Sequence, residues 1–280
     1  MHGDLRSAED LSQLAAEAFE LAHSLCGSCE NYHSLWTYQR IAGASGGDVA
    51  APLVHVVLGR LLSVRDRKIL IAGSADTGLL AVVVRAAHPN SRVVVVDRCE
   101  TPLELCRRFA KRAALAVETL RLNLADLKAE SAFDVVFAHS LLQYIRADHR
   151  LEALSRMRRA LQPDGRLVLV FRTSDRIEGK LLPEYREAYS TRLIEQLEAV
   201  NIQLPEPREA FRRRIEIYAE ERRAREGVHA SREEVEQLIE AAGFAIQDVM
   251  PIEASQSDPF RTLAAKISKQ RFLMIAAPRS

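Results

Sequence analysis

The sequence Ile69-Leu70-Ile71-Ala72-Gly73-Ser74-Ala75-Asp76-Thr77-Gly78 is an apolar run that breaks into a glycine-containing turn. A second apolar run, Val93-Val94-Val95-Val96-Asp97, follows about one helical crossover later. Strands of a parallel sheet are buried on both faces, and a glycine turn lets the backbone approach a ligand at the next helix. The acid that ends the second run lies where such units place a carboxylate on ribose hydroxyls. The stretch therefore predicts a nucleotide-binding βαβ unit.

Strand and helix patterns continue to alternate after this unit. We expect strands at 68–72, 92–96, 119–122, 134–138 and 166–171, and helices at 79–87, 102–116 and 149–161. Further strands are expected at 244–252 and 271–277. Alternation of this kind predicts an α/β fold with a doubly wound, mainly parallel sheet, whose ligand lies at the carboxyl ends of the strands.

Two helical regions accompany the predicted sheet. Apolar positions repeat at helical spacing before residue 65, which predicts an N-terminal helical preface or lid over residues 1–65. Residues 66–280 then form the Rossmann-like domain, with a charged helical insertion at about 174–230. The chain returns to the sheet through Ser231-Arg232-Glu233-Glu234, a capping box, and Gly243 ends the helix that follows.

Composition limits the function classes. The 280 residues carry a net charge of +1, and 48% of them are hydrophobic, so neither disorder nor a bias toward nucleic acid is indicated. No apolar run is long enough to span a membrane, and the first residues lack a signal-peptide pattern. We expect a cytoplasmic monomer or homodimer that binds neither membrane nor nucleic acid.

Four cysteines raise the question of a metal or redox site. Cys26 and Cys29 have the spacing of such sites, and Cys99 and Cys106 are conceivable partners. Unconnected thiols are the favoured interpretation, and no His-x-x-x-His spacing occurs in the chain. We therefore expect no metal.

Several further motifs occur in a characteristic order. They are the strand-and-turn sequence at 69–78, Asp97, Phe133-Asp134-Val135-Val136-Phe137-Ala138-His139 followed by Leu141-Leu142-Gln143-Tyr144, Leu161-Gln162-Pro163-Asp164-Gly165-Arg166-Leu167, and Ala241-Ala242-Gly243-Phe244. In this order and spacing the chain, from about 68 to 277, resembles the class I S-adenosylmethionine-dependent methyltransferases. The resemblance implies seven strands in the order 3-2-1-4-5-7-6 with the last strand antiparallel. It also implies S-adenosylmethionine as cofactor and S-adenosylhomocysteine as product.

The resemblance carries a set of site residues onto this sequence. The implied cofactor-binding residues are Gly73, Ser74, Ala75, Asp76, Gly78, Asp97, Arg98, Asn123, Leu124, His139 and Arg40. The first motif departs from the family, because Ile71 stands where an acid is usual, and Asp76 is the candidate to replace it near the cofactor's ammonium group. At the third strand Asn123 best matches the residue that meets the adenine amino group, and Asp126 is the alternative register.

Two groups of side chains could take part in methyl transfer. His139 follows the fourth strand and is either a general base or a hydrogen-bond partner of cofactor or backbone. Tyr32, Trp36 and Arg40 share one helix face with His33 beside them, which suggests a lid that walls the acceptor or, equally, ordinary core packing. The candidate catalytic residues are His139, Tyr32 and His33, and the candidate substrate-binding residues are Trp36, Tyr32 and Tyr144.

The sequence favours methyl transfer to an oxygen or nitrogen of a small-molecule acceptor, in bacterial secondary metabolism. A helical preface and a helical insertion would enclose a compact acceptor. Alternatives are an RNA or protein methyltransferase, a non-catalytic scaffold that only binds the cofactor, and a nicotinamide-dependent reductase.

Overall fold

The computed structural model describes residues 8–44, 52–174, 183–225, 231–253 and 269–279. Seven strands form one sheet: β1 (Lys68–Ala72), β2 (Arg92–Asp97), β3 (Val117–Arg121), β4 (Phe133–His139), β5 (Leu161–Ser174), β6 (Phe244–Ile252) and β7 (Lys269–Pro278). Their order is β3-β2-β1-β4-β5-β7-β6. β7 lies antiparallel to both β5 and β6, and the first five strands pair in parallel. The predicted strand order and the place of the last strand are confirmed.

Helices cover both faces of the sheet and its carboxyl edge. They are α1 (Ala8–Leu25), α2 (Glu30–Ile41), α3 (Pro52–Leu62), α4 (Gly78–Ala86), α5 (Glu100–Arg112), α6 (Ala147–Ala160), α7 (Pro183–Ala199), α8 (Arg208–Arg225) and α9 (Arg232–Ala241). Apolar side chains of α3, α4 and α5 pack on one face of the sheet, and those of α6 and α9 pack on the other. The strands β1 and β2 are buried on both faces, as their apolar runs predict.

A third apolar core joins the N-terminal helices to the insertion. Buried side chains of α1 and α2, among them Leu35 and Tyr38, pack against α7 and α8, among them Leu193 and Phe211. We refer to α1, α2, α7 and α8 as the cap. The helix α3 belongs instead to the sheet layer, because its buried positions face β1 and α4. The preface is thus divided between two layers.

Element boundaries follow local signals. Ser231 caps α9 by accepting a hydrogen bond from Glu234 N at 3.2 Å, and Gly243 ends that helix with φ +85°. The helix α5 ends at Arg112 rather than at 116, and Ala114 adopts a left-handed φ of 51° just beyond it. Residues 1–7 and 45–51 of the predicted preface lie outside the described residues. No helix among the described segments has the length and apolarity of a transmembrane span.

Candidate functional site

One cavity of about 530 Å³ lies between the carboxyl ends of β1, β2 and β4 and the cap. Every residue predicted for the site lines it: Tyr32, His33, Trp36, Arg40, Gly73, Ser74, Ala75, Asp76, Gly78, Asp97, Arg98, Asn123, Leu124, His139 and Tyr144. This volume lies in the range of cofactor and small-molecule sites. Residues from the sheet edge and from the cap therefore face one another across a single chamber.

The glycine turn after β1 brings backbone to the cavity wall. Gly73 has φ +76°, and its amide donates to Val96 O at 2.8 Å. A Cβ at this position would lie 2.6 Å from Leu141 Cδ1. Glycine therefore satisfies both the backbone conformation and the close approach of the chain segment that follows β4.

Asp97 ends β2 and holds the turn in place. Its Oδ2 accepts from Ser74 N at 3.0 Å, and its Oδ1 accepts from Cys99 N at 2.7 Å. Burial raises the pKa of Asp97, although these two backbone hydrogen bonds oppose the shift. Each carboxylate oxygen keeps a lone pair, so the group can still accept hydrogen bonds from a ligand's hydroxyls.

Asp76 is held by neighbours in the protein. Its side chain is 3% exposed, and Oδ2 forms an ion pair with Arg40 Nε at 2.7 Å and accepts from Thr37 Oγ1 at 3.2 Å. Its Oδ1 accepts from Gly78 N at 2.8 Å. Its oxygens thus accept from a guanidinium, a hydroxyl and an amide, and a contact of Asp76 with the cofactor's ammonium group stays a prediction. Asp76 joins the turn to α2.

The segment after β3 supplies the far end of the cavity. Asn123 and Leu124 line the cavity, and Asn123 Oδ1 accepts from Ala125 N at 3.3 Å at the start of a short 3₁₀ helix. Asp126 is exposed and lies outside the cavity lining. Of the two registers that the sequence left open, the geometry favours Asn123.

Aromatic rings form the cap side of the chamber. The ring centroid of Tyr32 lies 5.3 Å from that of Trp36, 5.5 Å from Tyr144 and 6.2 Å from Tyr218. Tyr144 follows β4, and Tyr218 belongs to α8. We refer to these four residues as the aromatic cage. Ring faces carry partial negative charge and attract a cation such as a sulfonium.

Sequence reasoning missed part of the lining. Glu221 reaches the cavity from α8, beside Tyr218, and Arg146 and His149 reach it from the start of α6. Periodicity cannot identify them, because it predicts which helix face is buried but not which element faces the cavity. Tyr189 of α7 lies outside this lining and donates to Gln39 Oε1 at 3.0 Å inside the cap.

Two histidines of the lining have different surroundings. His139 ends β4, next to the segment that carries Tyr144. His33 is 5% exposed, and its Nδ1 lies 3.3 Å from the carbonyl oxygen of Ala75. His33 is thus packed into the junction between cap and turn, whereas His139 stands at the sheet edge.

Three of the four cysteines meet beside His33. Cys99 Sγ lies 3.5 Å from Cys26 Sγ and 3.6 Å from Cys29 Sγ. Hydrogen bonds with Cys26 and Cys99 lower the pKa of Cys29 to about 3, and the same contacts raise that of Cys26. The expectation of unconnected thiols is wrong for these three, because the turn between α1 and α2 lies against the start of α5. We refer to Cys26, Cys29, His33 and Cys99 as the Cys3His cluster.

The fold and the site define a class of protein: a doubly wound α/β protein that holds a nucleotide-type cofactor at its carboxyl edge. Comparison with known sequences agrees, because residues 69–165 match the family described as a methyltransferase domain. Together with the motif order and the strand order, this match supports a class I S-adenosylmethionine-dependent methyltransferase domain in the chain.

Curated relatives come from bacteria. A carboxy-S-adenosyl-L-methionine synthase of Pseudomonas putida strain GB-1 is 33% identical over 140 residues, which cover 44% of this chain and 56% of the relative. The enzyme of the same name from Klebsiella pneumoniae strain MGH 78578 is 29% identical over 113 residues, or 39% of this chain and 45% of the relative. The chain thus matches about half the length of these relatives.

Solved structures share the fold at low sequence identity. The 1,6-didemethyltoxoflavin-N1-methyltransferase of Burkholderia thailandensis has a TM-score of 0.53 at 17% identity, with 100% of this chain and 94% of that chain covered. A geranyl diphosphate C-methyltransferase of Streptomyces coelicolor has a TM-score of 0.52 at 13% identity, covering 81% and 80%. The cyclase SpnF has a TM-score of 0.54 at 12% identity, covering 98% and 96%. At these identities the similarities concern the fold alone.

Proposed function

We propose that the cavity binds S-adenosylmethionine along the sheet edge and that the protein transfers its methyl group to an oxygen or nitrogen of a small-molecule acceptor. The observation that carries the proposal is the single chamber that joins Asp97 and Asn123 on the sheet side to the aromatic cage on the cap side. One end offers acceptors for ribose and adenine, and the other offers an apolar, electron-rich wall.

The cofactor fits the residues present. Asp97 would accept the ribose hydroxyls, and Asn123 and Leu124 would meet the adenine. Asp76 holds Arg40 by its Nε, so the two terminal nitrogens of this guanidinium are left to bind the carboxylate at the amino-acid end. The backbone of Ser74 and Ala75, at the open side of the turn, would lie beside the part of the cofactor that connects its ribose to its amino-acid end.

Methyl transfer from a sulfonium is an in-line displacement. The cofactor, when bound, supplies the activated methyl group. The protein must hold the acceptor atom in line with that methyl and exclude water. Tyr32 and Trp36 would form the walls of this chamber and attract the positive charge. An acceptor that arrives as a hydroxyl or ammonium must also lose a proton, and His139 at the end of β4 is the residue we assign to accept it.

His33 and Tyr32 were also candidate bases. The Nδ1 of His33 faces the Ala75 carbonyl, and its ring belongs to the Cys3His cluster, so we assign His33 to the wall of the chamber. Tyr32 contacts three other aromatic rings of the cage, so we assign it a positioning role.

The chain's own features argue for a small acceptor. A net charge of +1 gives no overall bias toward RNA, and the cap covers the chamber. The bacterial relatives support a bacterial biosynthetic context, and we retain the proposal of a cytoplasmic monomer or homodimer.

A second candidate is chemistry on the cofactor itself. The relatives that match this chain are named carboxy-S-adenosyl-L-methionine synthases, so a carboxylate would have to be accommodated near the methyl group. Arg146 and His149, which line the same cavity, are cationic or ionisable groups suited to a carboxylate. Mass spectrometry of small molecules extracted from the purified protein separates the two candidates, since only the second yields the carboxylated cofactor.

Calorimetry tests the cofactor proposal. We expect S-adenosylmethionine and S-adenosylhomocysteine to bind with micromolar Kd, and NADH and NADPH not to bind. Asp97→Asn should weaken binding about 10- to 100-fold, because it removes charge-assisted hydrogen bonds worth roughly 1.5–3 kcal/mol.

Asp126→Asn is the matched control, since it removes an exposed carboxylate at the end of the neighbouring strand, outside the cavity. It should bind like the wild type. Equal weakening in both variants, or binding of the nicotinamide cofactors alone, would refute the proposed cofactor site. Cofactor binding without turnover of any screened acceptor, together with no carboxylated product, would move the non-catalytic scaffold to first place.

A further inference from the structure

We propose that the Cys3His cluster binds one zinc ion, which fastens the start of α2 to the loop between β2 and α5. This inference does not depend on the proposed function, because it concerns a structural site beside the cavity. Sequence reasoning expected no metal, because unconnected thiols were favoured even though Cys99 was a conceivable partner of the Cys26-x-x-Cys29 pair. Folding brings two further ligands to this pair: His33 from the next helix turn, and Cys99 from a loop 70 residues beyond Cys29.

The distances suit a tetrahedral ion. One ligand atom from each of the four residues lies within 4.8 Å of the other three, and two sulfur–sulfur distances are 3.5 and 3.6 Å. In a tetrahedron with zinc–sulfur bonds of about 2.3 Å, neighbouring ligands lie ~3.8 Å apart. A modest adjustment of side-chain torsions would therefore place all four around one ion.

The donor set distinguishes between metals. Three sulfurs and one imidazole nitrogen form a set typical of closed, structural zinc sites. In an iron–sulfur cluster the four ligands are shared among two or four irons, so they cannot all lie as close together as these four ligand atoms, which are within 4.8 Å of one another. A disulfide requires sulfurs at about 2.05 Å, and it would use two of the three thiols and leave the third and the imidazole unexplained.

Outer contacts would orient the ligands. When His33 Nδ1 donates to the Ala75 carbonyl, the ring's lone pair is on Nε2, the atom that can bind a metal. The buried hydroxyl of Thr101 lies 3.0 Å from Cys26 Sγ and can donate to its thiolate. Metal-binding histidines and thiolates commonly have such partners.

The local field favours the negative charge of three thiolates. Cys29 precedes α2 and Cys99 precedes α5, each at the N-cap position, so the positive ends of two helix dipoles meet at the cluster. Arg98 adds a cation that acts on Cys29. The zinc complex of three thiolates and one imidazole carries one negative charge, which these groups would balance.

The site would also connect the cap to the cofactor-binding wall. Cys99 N donates to Asp97, the proposed ribose acceptor, and His33 contacts the glycine turn through Ala75. Metal binding would therefore order the turn and the carboxylate together. Loss of the metal should lower both thermal stability and affinity for S-adenosylhomocysteine.

Metal analysis of the purified chain is the first test. We expect about one zinc per chain, retained through dialysis. Cobalt substitution should give tetrahedral d–d absorption with thiolate-to-cobalt charge-transfer bands. Cys99→Ser and His33→Phe should lose the metal, whereas the matched control Cys106→Ala should keep it, because Cys106 is buried in α5 outside the cluster.

The variant His33→Cys distinguishes the loss of a metal ligand from a failure to fold. It supplies a fourth sulfur, so it should retain the metal and shift the cobalt charge-transfer bands, which a purely structural role of the imidazole would not produce. A metal-free chain that also fails to bind added zinc or cobalt would overturn the proposal. So would a disulfide between two cluster cysteines in protein purified without reductant, or metal retained in Cys99→Ser.

Discussion

The two walls of the chamber are built in different ways. The sheet wall comes from short segments that follow β1, β2 and β4, and its contacts join residues such as Ser74 and Asp97, which lie one crossover apart. The cap wall comes from α2 and α8, whose contacting rings, Tyr32 and Tyr218, are separated by most of the chain. The sheet wall is therefore set by local motifs, and the cap wall by tertiary packing.

This difference indicates where chemistry is general and where it is particular. A strand, a glycine turn and an acid can hold the same cofactor in many proteins, whereas the proposed acceptor would contact the cap. The similarity of the fold to methyltransferases and to a cyclase agrees with that division, because sites rather than folds determine function. Variants that affect one wall and spare the other test it.

The largest effect is expected where the walls are joined. Arg40→Met keeps much of the side-chain volume but leaves the carboxylate of Asp76, which is 3% exposed, without its cation. Removing one partner of a buried ion pair costs about 3–5 kcal/mol, and the 23% exposure of Arg40 reduces this to roughly 2–4 kcal/mol. Urea unfolding of the wild type and the variant measures the difference.

The double variant Arg40→Met/Asp76→Asn is the control. It removes the unpaired charge as well as its partner, so it should recover much of the lost free energy of unfolding. If the double variant is as unstable as the sum of the two single variants, the ion pair does not join the walls.

The same division explains what the sequence could predict. The glycine turn and Asp97 were predicted from apolar runs and turn residues, and the strand order and the rest of the sheet-side lining were predicted from the resemblance to the class I methyltransferases. The contact of Cys99 with Cys26 was not predicted, because it depends on how α1 packs beside α5, which no local pattern encodes. The contacts of Asp76 with Arg40 and Thr37 were missed for the same reason.

The sheet wall should show a pH signature at Asp97. Burial raises the pKa of this carboxyl in the folded state, so its ionisation opposes folding. In the cofactor-free protein its favourable contribution is complete below the ordinary carboxyl pKa and is lost as pH rises through the raised value. Residue 97 cannot ionise in Asp97→Asn, so the stability of this variant relative to wild type should rise across that window. The rise is about 1.4 kcal/mol for each tenfold difference between the acid dissociation constants of Asp97 in the folded and the unfolded chain.

Thermal unfolding of both proteins at a series of pH values measures this difference. A constant difference from acid to neutral pH would show that Asp97 titrates as in the unfolded chain. The weaker cofactor binding of Asp97→Asn would then come from its lost hydrogen bonds alone.

The cap wall should respond to the charge of the cofactor. Trp36, the only tryptophan in the chain, belongs to the aromatic cage, so Trp36→Leu should weaken binding of the sulfonium S-adenosylmethionine more than that of neutral S-adenosylhomocysteine. A cation–π contribution of about 1 kcal/mol corresponds to a roughly fivefold change in the ratio of the two Kd values. Tyr185→Leu, in the cap core away from the cavity lining, should leave this ratio unchanged.

The smallest effect is expected at Tyr38, which packs inside the cap behind the cage. Its side chain is fully buried with its ring 5.2 Å from that of Phe211, and burial raises its pKa. Within the described segments its hydroxyl has no hydrogen-bond partner. Because an unsatisfied buried hydroxyl costs about 1–3 kcal/mol, Tyr38→Phe should stabilise the protein, by ~1 kcal/mol, and leave cofactor affinity unchanged. A loss of stability on urea unfolding would mean that the hydroxyl is satisfied in solution, and that the cap core is more polar than its packing indicates.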